Sequence, residues 1–279
     1  MAELLFGTAG VPHSAEAKST IDGIKRVAAL GLGCMEIEFV QGVRMGEAGA
    51  RLVAEVGAAE GIKLSAHAPY YINFNAHEPE KITASQERLY QTARIGAICG
   101  AQSAVFHPAF YLGDPPEQAY QAVKTNIEEL MFRIRKDKIQ VSIRPELMGK
   151  PSQFGDLDEI LSLSAEIEGL APCIDFAHWH ARGGENNSYQ EIADTLSRIE
   201  QKLGREALDN MHIHFSGILY GAKGERKHLD LKESDLNYTE LLQAFRDYEI
   251  GGLVICESPN REDDAMLLRD TYSKLAKTG

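Results

Sequence analysis

The chain has 279 residues, 44% hydrophobic and 25% charged, which is the balance of a folded globular protein and excludes disordered, collagenous and coiled-coil chains. Lys+Arg of 29 against Asp+Glu of 41 gives a net charge of -12, which excludes a basic nucleic-acid coat protein. An enzyme that meets nucleic acid on one locally positive face stays open, above all one that carries metal ions.

Taken along the chain, short apolar runs alternate with longer stretches of helical period. LLFGT from Leu4 is the first strand-like run. It is followed by SAEAKSTIDGIKRVAAL, which puts Ile21, Ile24, Val27 and Leu30 on one helix face. CMEIEF from Cys34, LSAHA from Leu64, SAVFH from Ser103 and QVSIRPE from Gln140 come next. LDEILSLSAEI is a second amphipathic helix. PCIDFA from Pro172 precedes SYQEIADTLSRIEQKL, for which Ser188 is the expected N-cap. MHIHF from Met211 and LVICES from Leu253 complete the strands, and DDAMLLRDTYSKLAK closes the chain as a helix. About eight βα units of this length predict a parallel sheet covered by helices. No GxGxxG follows the first run, so a dinucleotide-binding open sheet loses its main support.

Polar residues favour a closed barrel. His67, His107, Glu146, Asp175, His214 and Glu257 each end a different run, as catalytic residues do at the carboxyl mouth of a (βα)8 barrel. Imidazoles and carboxylates are the usual ligands of zinc and related ions. Gathering them in one mouth without a cation costs several kcal/mol per uncompensated charge, in round terms about 3 or more. In MHIHF, His212 and His214 share the inward face, and His214 is nearer the mouth. His178 falls in the loop after Asp175, and His228 in the polar loop GAKGERKHLD. His180 and His212 are expected to pack rather than ligate, and His13 and His77 stand outside the pattern.

The wording then becomes recognisable. HAPYYIN from His67, FHPA around His107, RPELMGKPSQFG around Glu146, DFAH at Asp175, HIHFSG at His214, KHLDL at His228 and CESPN at Glu257 resemble endonuclease IV, nearest to its archaeal members. Order and spacing agree from about residue 5 to residue 275. The resemblance implies a single (βα)8 TIM barrel domain over residues 1–279. It implies a divalent-metal-dependent apurinic/apyrimidinic endonuclease of base excision repair, which cuts double-stranded DNA 5′ to abasic sites and leaves a 3′-hydroxyl. It also implies two to three ions, typically zinc, with manganese as the alternative. His67, His107 and Glu146 match the ligands of the first ion. Glu146 bridges to the second, which Asp175, His214 and Glu257 complete, and Glu146 orients the attacking water. His178 and His228 match two ligands of the third.

Three departures stand against the family pattern. The family has an Asp two residues before the histidine matching His228, and this chain has Arg226. A cation there is expected to weaken or empty the third site unless Asp230 or Glu225 substitutes from another spacing. GTAGVPHSA lacks the histidine many members carry at the first strand, and HPAFY stands where HPG is commoner.

For DNA, Tyr70, Lys223, Arg226 and Lys227 are the expected contacts. Arg44, Lys150, Arg182, Arg261 and the aromatics Tyr71, Phe110, Tyr111, Trp179 and Tyr220 also follow strand ends. The chief rival is a single-metal sugar isomerase or epimerase of the xylose-isomerase-like class. It would use Glu146, Asp175, His214 and Glu257 but has no need of His67 and His107. A non-catalytic metal- or nucleic-acid-binding protein is the second rival. Cys34, Cys99, Cys173 and Cys256 form no CxxC pair, as free thiols would not. MAELLFGTAG lacks a basic n-region, and no apolar run reaches spanning length. A cytoplasmic monomer with no membrane contact is expected.

Overall fold

All eight strand-like runs become strands of one sheet in the computed structural model, which describes residues 3–275. They are β1 Leu4–Ala9, β2 Cys34–Glu38, β3 Lys63–His67, β4 Ala101–Phe106, β5 Ser142–Pro145, β6 Cys173–Asp175, β7 Met211–Phe215 and β8 Gly252–Cys256. Their spatial order is β5-β4-β3-β2-β1-β8-β7-β6, with every pairing parallel. Parallel bridges from Ile143 to Leu170 and from Glu146 to Cys173 join β5 to β6 and complete the ring. The architecture is a (βα)8 TIM barrel, because each strand's return helix packs on the outside of the sheet.

The helices follow the apolar spacing, with local chemistry setting their ends. The first helix begins at Thr20, later than the sequence pattern reached, because the Ser19 side chain caps the Asp22 amide. Ile24 and Val27 are fully buried, whereas Ile21 and Leu30 are only half-buried. Leu157–Glu166 opens on an Asp156–Glu159 capping box. Tyr189–Leu203 starts at Ser188 as expected, with Glu191 accepting from the Ser188 amide at 3.0 Å. The closing helix runs Glu262–Lys274. Residues 276–277 of its expected span, and residues 1–2 of the opening segment, lie outside the described residues. No helix among the described residues is long and apolar enough to cross a membrane. The four cysteines are buried and unpaired.

The lumen is divided. Cys34, Leu253 and Ile255 fill one side. The other side carries buried Glu36, Ser65, Ser103, Arg144 and His212. Arg144 ties the floor: Nε donates to Ser103 Oγ at 2.8 Å, Nη1 to Pro172 O at 2.8 Å and Nη2 to Asn210 O at 3.0 Å. The two carbonyls immediately precede β6 and β7, so one side chain sets where both strands begin. Burial pushes the Arg144 pKa down to about 10, still far above neutrality. This polar floor supports a polar layer above it, towards the mouth.

Gly252 opens β8 at φ +118°, and a Cβ there would lie 2.0 Å from Met211 O. Gly252→Ala is therefore expected to destabilise by about 2–3 kcal/mol, lowering the thermal midpoint by about 5 °C or more. A midpoint equal to the unsubstituted protein's would show that the β7–β8 approach is not tight.

Candidate metal centre

The strand ends deliver their polar residues to one mouth. His67 and Asp175 are the last residues of β3 and β6, and His214 is the penultimate residue of β7. His107, Glu146 and Glu257 directly follow β4, β5 and β8. His178 is not in a loop. It sits in the helix Phe176–Gly183, which starts at once because Asp175 is its N-cap: Asp175 Oδ1 accepts from the His178 amide at 2.7 Å. That leaves Oδ2 turned to the mouth. His228 is likewise not in a loop but in an antiparallel hairpin, Gly217–Gly221 with Gly224–Leu229.

Glu146 is the centre of the cluster, and its two oxygens divide the histidines. Oε2 lies 3.1 Å from His67 Nε2 and 3.2 Å from His107 Nε2. Oε1 lies 3.1 Å from His178 Nδ1 and 3.5 Å from His214 Nδ1. The Oε1 contacts are off the hydrogen-bond axis, so they are charge contacts only. Glu146 Oε1, Asp175 Oδ2 and His214 Nδ1 are all buried without a hydrogen-bond partner. His214 Nδ1 is also 3.6 Å from Glu257 Oε1. One atom each from Glu146, Asp175, His214 and Glu257 falls within 4.8 Å of the others, and so does one each from His67, Glu146 and His214. His107 stands outside both groups but within reach of Oε2.

The acids of this cluster favour the charged forms of the imidazoles beside them. Burial alone would lower the His67 pKa, but the hydrogen bond to Glu146 and the charge of Glu38 push it up to about 10. Burial is likewise overcome at His178 by Asp175 and Glu146, again to about 10. Glu146 would be raised by burial, yet the charges of His107 and His214 hold it well below the usual carboxylate range. A divalent cation would take the place of these protons. Orphaned donor atoms of N and O type at converging positions fit such an ion.

The hairpin alters the expectation about Arg226. Register runs Leu219↔Lys227 but Tyr220↔Glu225, so Arg226 is the extra residue of a β-bulge. The bulge shifts the alternation by one. Arg226 and Lys227 are both exposed, and Glu225 and His228 are both half-buried. The Arg226 guanidinium lies over Gly221. Glu225 Oε2 comes to 3.6 Å from His178 Nε2, which is 3.4 Å from His228 Nε2. Both rings turn Nδ1 to backbone carbonyls, Leu147 O at 3.1 Å and Glu257 O at 3.3 Å. Asp175, His178 and His228 each bring a ligand atom within 4.8 Å of the others, and Glu225 approaches this group from the His178 side. Asp230 is elsewhere, with Oδ1 accepting from the Asn260 amide at 3.1 Å. The close approach needs Gly149, where a Cβ would meet Glu225 Cβ at 2.9 Å and His178 Cδ2 at 3.0 Å.

Several other expected contacts are used up within the protein. Arg182 Nη1 donates to the carbonyls of Met148, Lys150 and Gln153, so it fastens the loop after β5. Arg261 donates to Val11 O. Tyr111 donates to Glu159 at 2.7 Å, Trp179 to Thr195 at 3.3 Å and Tyr220 to Asp235 at 2.9 Å. Tyr70, Tyr71 and Phe110 remain exposed at the mouth, with the Tyr70 ring 5.5 Å from that of His107. Lys223 is exposed at the hairpin tip, beside Arg226 and Lys227, and Arg44 is exposed too. Lys150 Nζ lies 3.8 Å from Glu225 Oε2. His180 pairs with Asp235 at 3.3 Å, His77 with Asp114 at 2.7 Å, and His13 Nε2 meets Pro259 O at 2.8 Å.

Two acids on β2 were not anticipated. Glu36 and Glu38 are in phase and face the lumen and the mouth. Glu36 contacts His212 and His214, and Glu38 carries a buried, unpartnered Oε1. A cavity of about 570 Å³ opens beside them, between the ends of β1, β2 and β8, with Glu257, His228 and Tyr70 in its wall.

Comparison with known proteins agrees with this architecture. The model of the xylose isomerase-like TIM barrel family matches residues 24–277. The uncharacterized protein MJ0133 of Methanocaldococcus jannaschii is 46% identical over 98% of both chains. A probable endonuclease 4 of Mycoplasma pneumoniae is 30% identical over 70% of this chain and 67% of its own. Among solved structures, endonuclease IV from Thermus thermophilus superposes with a TM-score of 0.76 at 17% identity, over 97% of this chain and 100% of that one. A D-tagatose 3-epimerase-like protein reaches 0.74 at 15% identity, over 97% and 96%. Those two likenesses share the barrel and decide nothing about the substrate. The sequence match is what places this chain in the endonuclease IV family of xylose isomerase-like TIM barrels.

Proposed function

We propose that the protein is a divalent-metal-dependent endonuclease that hydrolyses the phosphodiester 5′ to abasic sites in double-stranded DNA. One observation carries this reading: the two oxygens of Glu146 are lined by different imidazoles. The first set, His67 and His107, flanks Oε2, while His178 and His214 flank Oε1, with one oxygen each of Asp175 and Glu257 in reach. A one-metal sugar epimerase has no use for the first set. His67 and His107 with Glu146 would hold one ion, and Glu146, Asp175, His214 and Glu257 a second. His178, His228 and Glu225 would hold a third, with Glu225 in the place of the family's Asp. Such ions supply Lewis acidity, lower the pKa of water and neutralise charge developing on phosphate oxygens.

The remaining work falls to the chain. An abasic site offers no base edge, so it is recognised by deformability and by room for the turned-out sugar. The cavity beside Glu257 and Tyr70 provides that room, and exposed Tyr70 fits the gap left by the base. Lys223, Arg226 and Lys227 line one outward strip of the hairpin and meet phosphates. Glu146 orients the water that attacks phosphorus, and the 3′-oxygen leaves with a proton to give a 3′-hydroxyl.

A duplex bearing one abasic analogue is expected to be cut by the protein and spared after chelator treatment. Glu146→Gln should abolish cleavage in a folded barrel, since it keeps shape but removes the shared charge. Wild-type turnover in that variant would remove Glu146 from its role. The loop cations give a second expectation: binding falls steeply with salt despite the net charge of -12. Lys223→Ala and Lys227→Ala should each flatten the slope of log K against log salt by about one unit. A flat response in the unsubstituted protein would mean that DNA is not the ligand. Metal counting gives the third. Glu225→Ala should lose one ion on mild chelation, and Arg226→Ala none. The opposite result would return Arg226 to the site, and a single ion in the native protein would favour the epimerase.

A further inference from the structure

We propose that Glu36 decides which nitrogen of His214 faces the cations: it holds the Nε2 edge of the ring and leaves Nδ1 turned to Glu146 and Glu257. The proposal rests on the cation reading above and adds to it a residue outside the ligand sets. Glu36 belongs to β2 and His214 to β7, which are not neighbours in the ring, so their contact spans the lumen. The Glu36 side chain is fully buried. Its Oε2 accepts from Ser65 Oγ at 2.7 Å and from His212 Nε2 at 3.0 Å. Its Oε1 lies 2.9 Å from His214 Nε2. That contact is off the N–H axis, so, like those at Glu146 Oε1, it is a charge contact, and it fixes which edge of the ring faces Glu36. At the other edge, His214 Nδ1 is 3.5 Å from Glu146 Oε1 and 3.6 Å from Glu257 Oε1.

An imidazole with carboxylates at both edges has two candidate ligand atoms. Ser65 and His212 remove the ambiguity. They occupy Oε2, so the carboxylate cannot turn, and Oε1 is presented to His214 alone. A ligating imidazole that gives its other N–H to a fixed carboxylate gains orientation and basicity. Glu36 is thus a positioning residue. A glutamine at this position keeps the shape but brings an NH₂ group. Either that group faces His214 Nε2 and drives the ring to its Nδ1–H form, which cannot ligate through Nδ1, or it faces the donors Ser65 and His212.

Three measurements test this. The first is the nitrogen spectrum of the zinc-loaded protein labelled at histidine. His214 should show a proton on Nε2 and none on Nδ1. The second is chelator competition on zinc-loaded E36Q, where one ion should loosen by about 10–100-fold. The ion of His67 and His107 should keep its affinity. The third is Ser65→Ala, which leaves the carboxylate in place. It should loosen the same ion in the same direction, by less, and it decides the matter if E36Q does not fold. A proton on His214 Nδ1 in the loaded protein, a failure to take up zinc, or an E36Q protein with native affinity for every ion would overturn the proposal. Loss of DNA cleavage as an activity, with the His214 pattern intact, would instead sink the function and leave Glu36 in its role.

Discussion

Everything at the mouth depends on one buried carboxylate. Glu146 is almost wholly shielded from water, yet four imidazoles approach its two oxygens within 3.5 Å. A charge in that position costs several kcal/mol unless it is paired, in round terms about 3 or more. The pairing also ties down five strand ends at once, because the imidazoles and Glu146 come from or follow β3, β4, β5, β6 and β7. Protons and cations compete for this arrangement. Glu146 and Asp175, which help to lift His67 and His178 to about 10, are also among the acids that would bind metal. Loading must therefore displace protons, and acid conditions oppose it.

The barrel makes the cluster possible by stacking polar layers. Arg144 fixes the starts of β6 and β7. Glu36, Ser65 and His212 form a second buried polar group in the lumen. The ligands come last, at the strand ends. On the side where chemistry is placed, the lumen trades aliphatic packing for these oriented polar contacts. Cys34, Leu253 and Ile255 keep the opposite side apolar.

The strands and the metal-ligand candidates were largely legible in the sequence, and for the same reason. Apolar alternation marks a strand, and a His or acid at its end breaks the alternation where the chain reaches the mouth. An Asp that ends a strand is also a good helix cap, so DFAH alone does not tell whether His178 lies in a loop or in the helix that Asp175 caps. SAEAKS has helical composition, so the sequence pattern overruns the true start of the first helix, which the Ser19 cap sets at Thr20. Glu225 is one of two substitutes that the sequence offers, since its approach to His178 depends on a β-bulge at Arg226 that no residue type announces. Glu36 was hidden inside CMEIEF, although two acids in phase on a lumen-facing strand were a usable signal. Arg182, Trp179 and Tyr111 were expected to be free at the mouth. Their position after strand ends was read correctly, but their internal hydrogen bonds depend on tertiary neighbours.

The central claim is that Glu146 lies between two cations, one at each oxygen. Anomalous diffraction at the zinc edge, from crystals of the protein purified without added metal, tests it most directly. The account predicts one peak beside Oε2 with His67 and His107, and another beside Oε1 with Asp175, His214 and Glu257. A single peak at Asp175, His214 and Glu257, with His67 and His107 still hydrogen-bonding to Glu146, would contradict it.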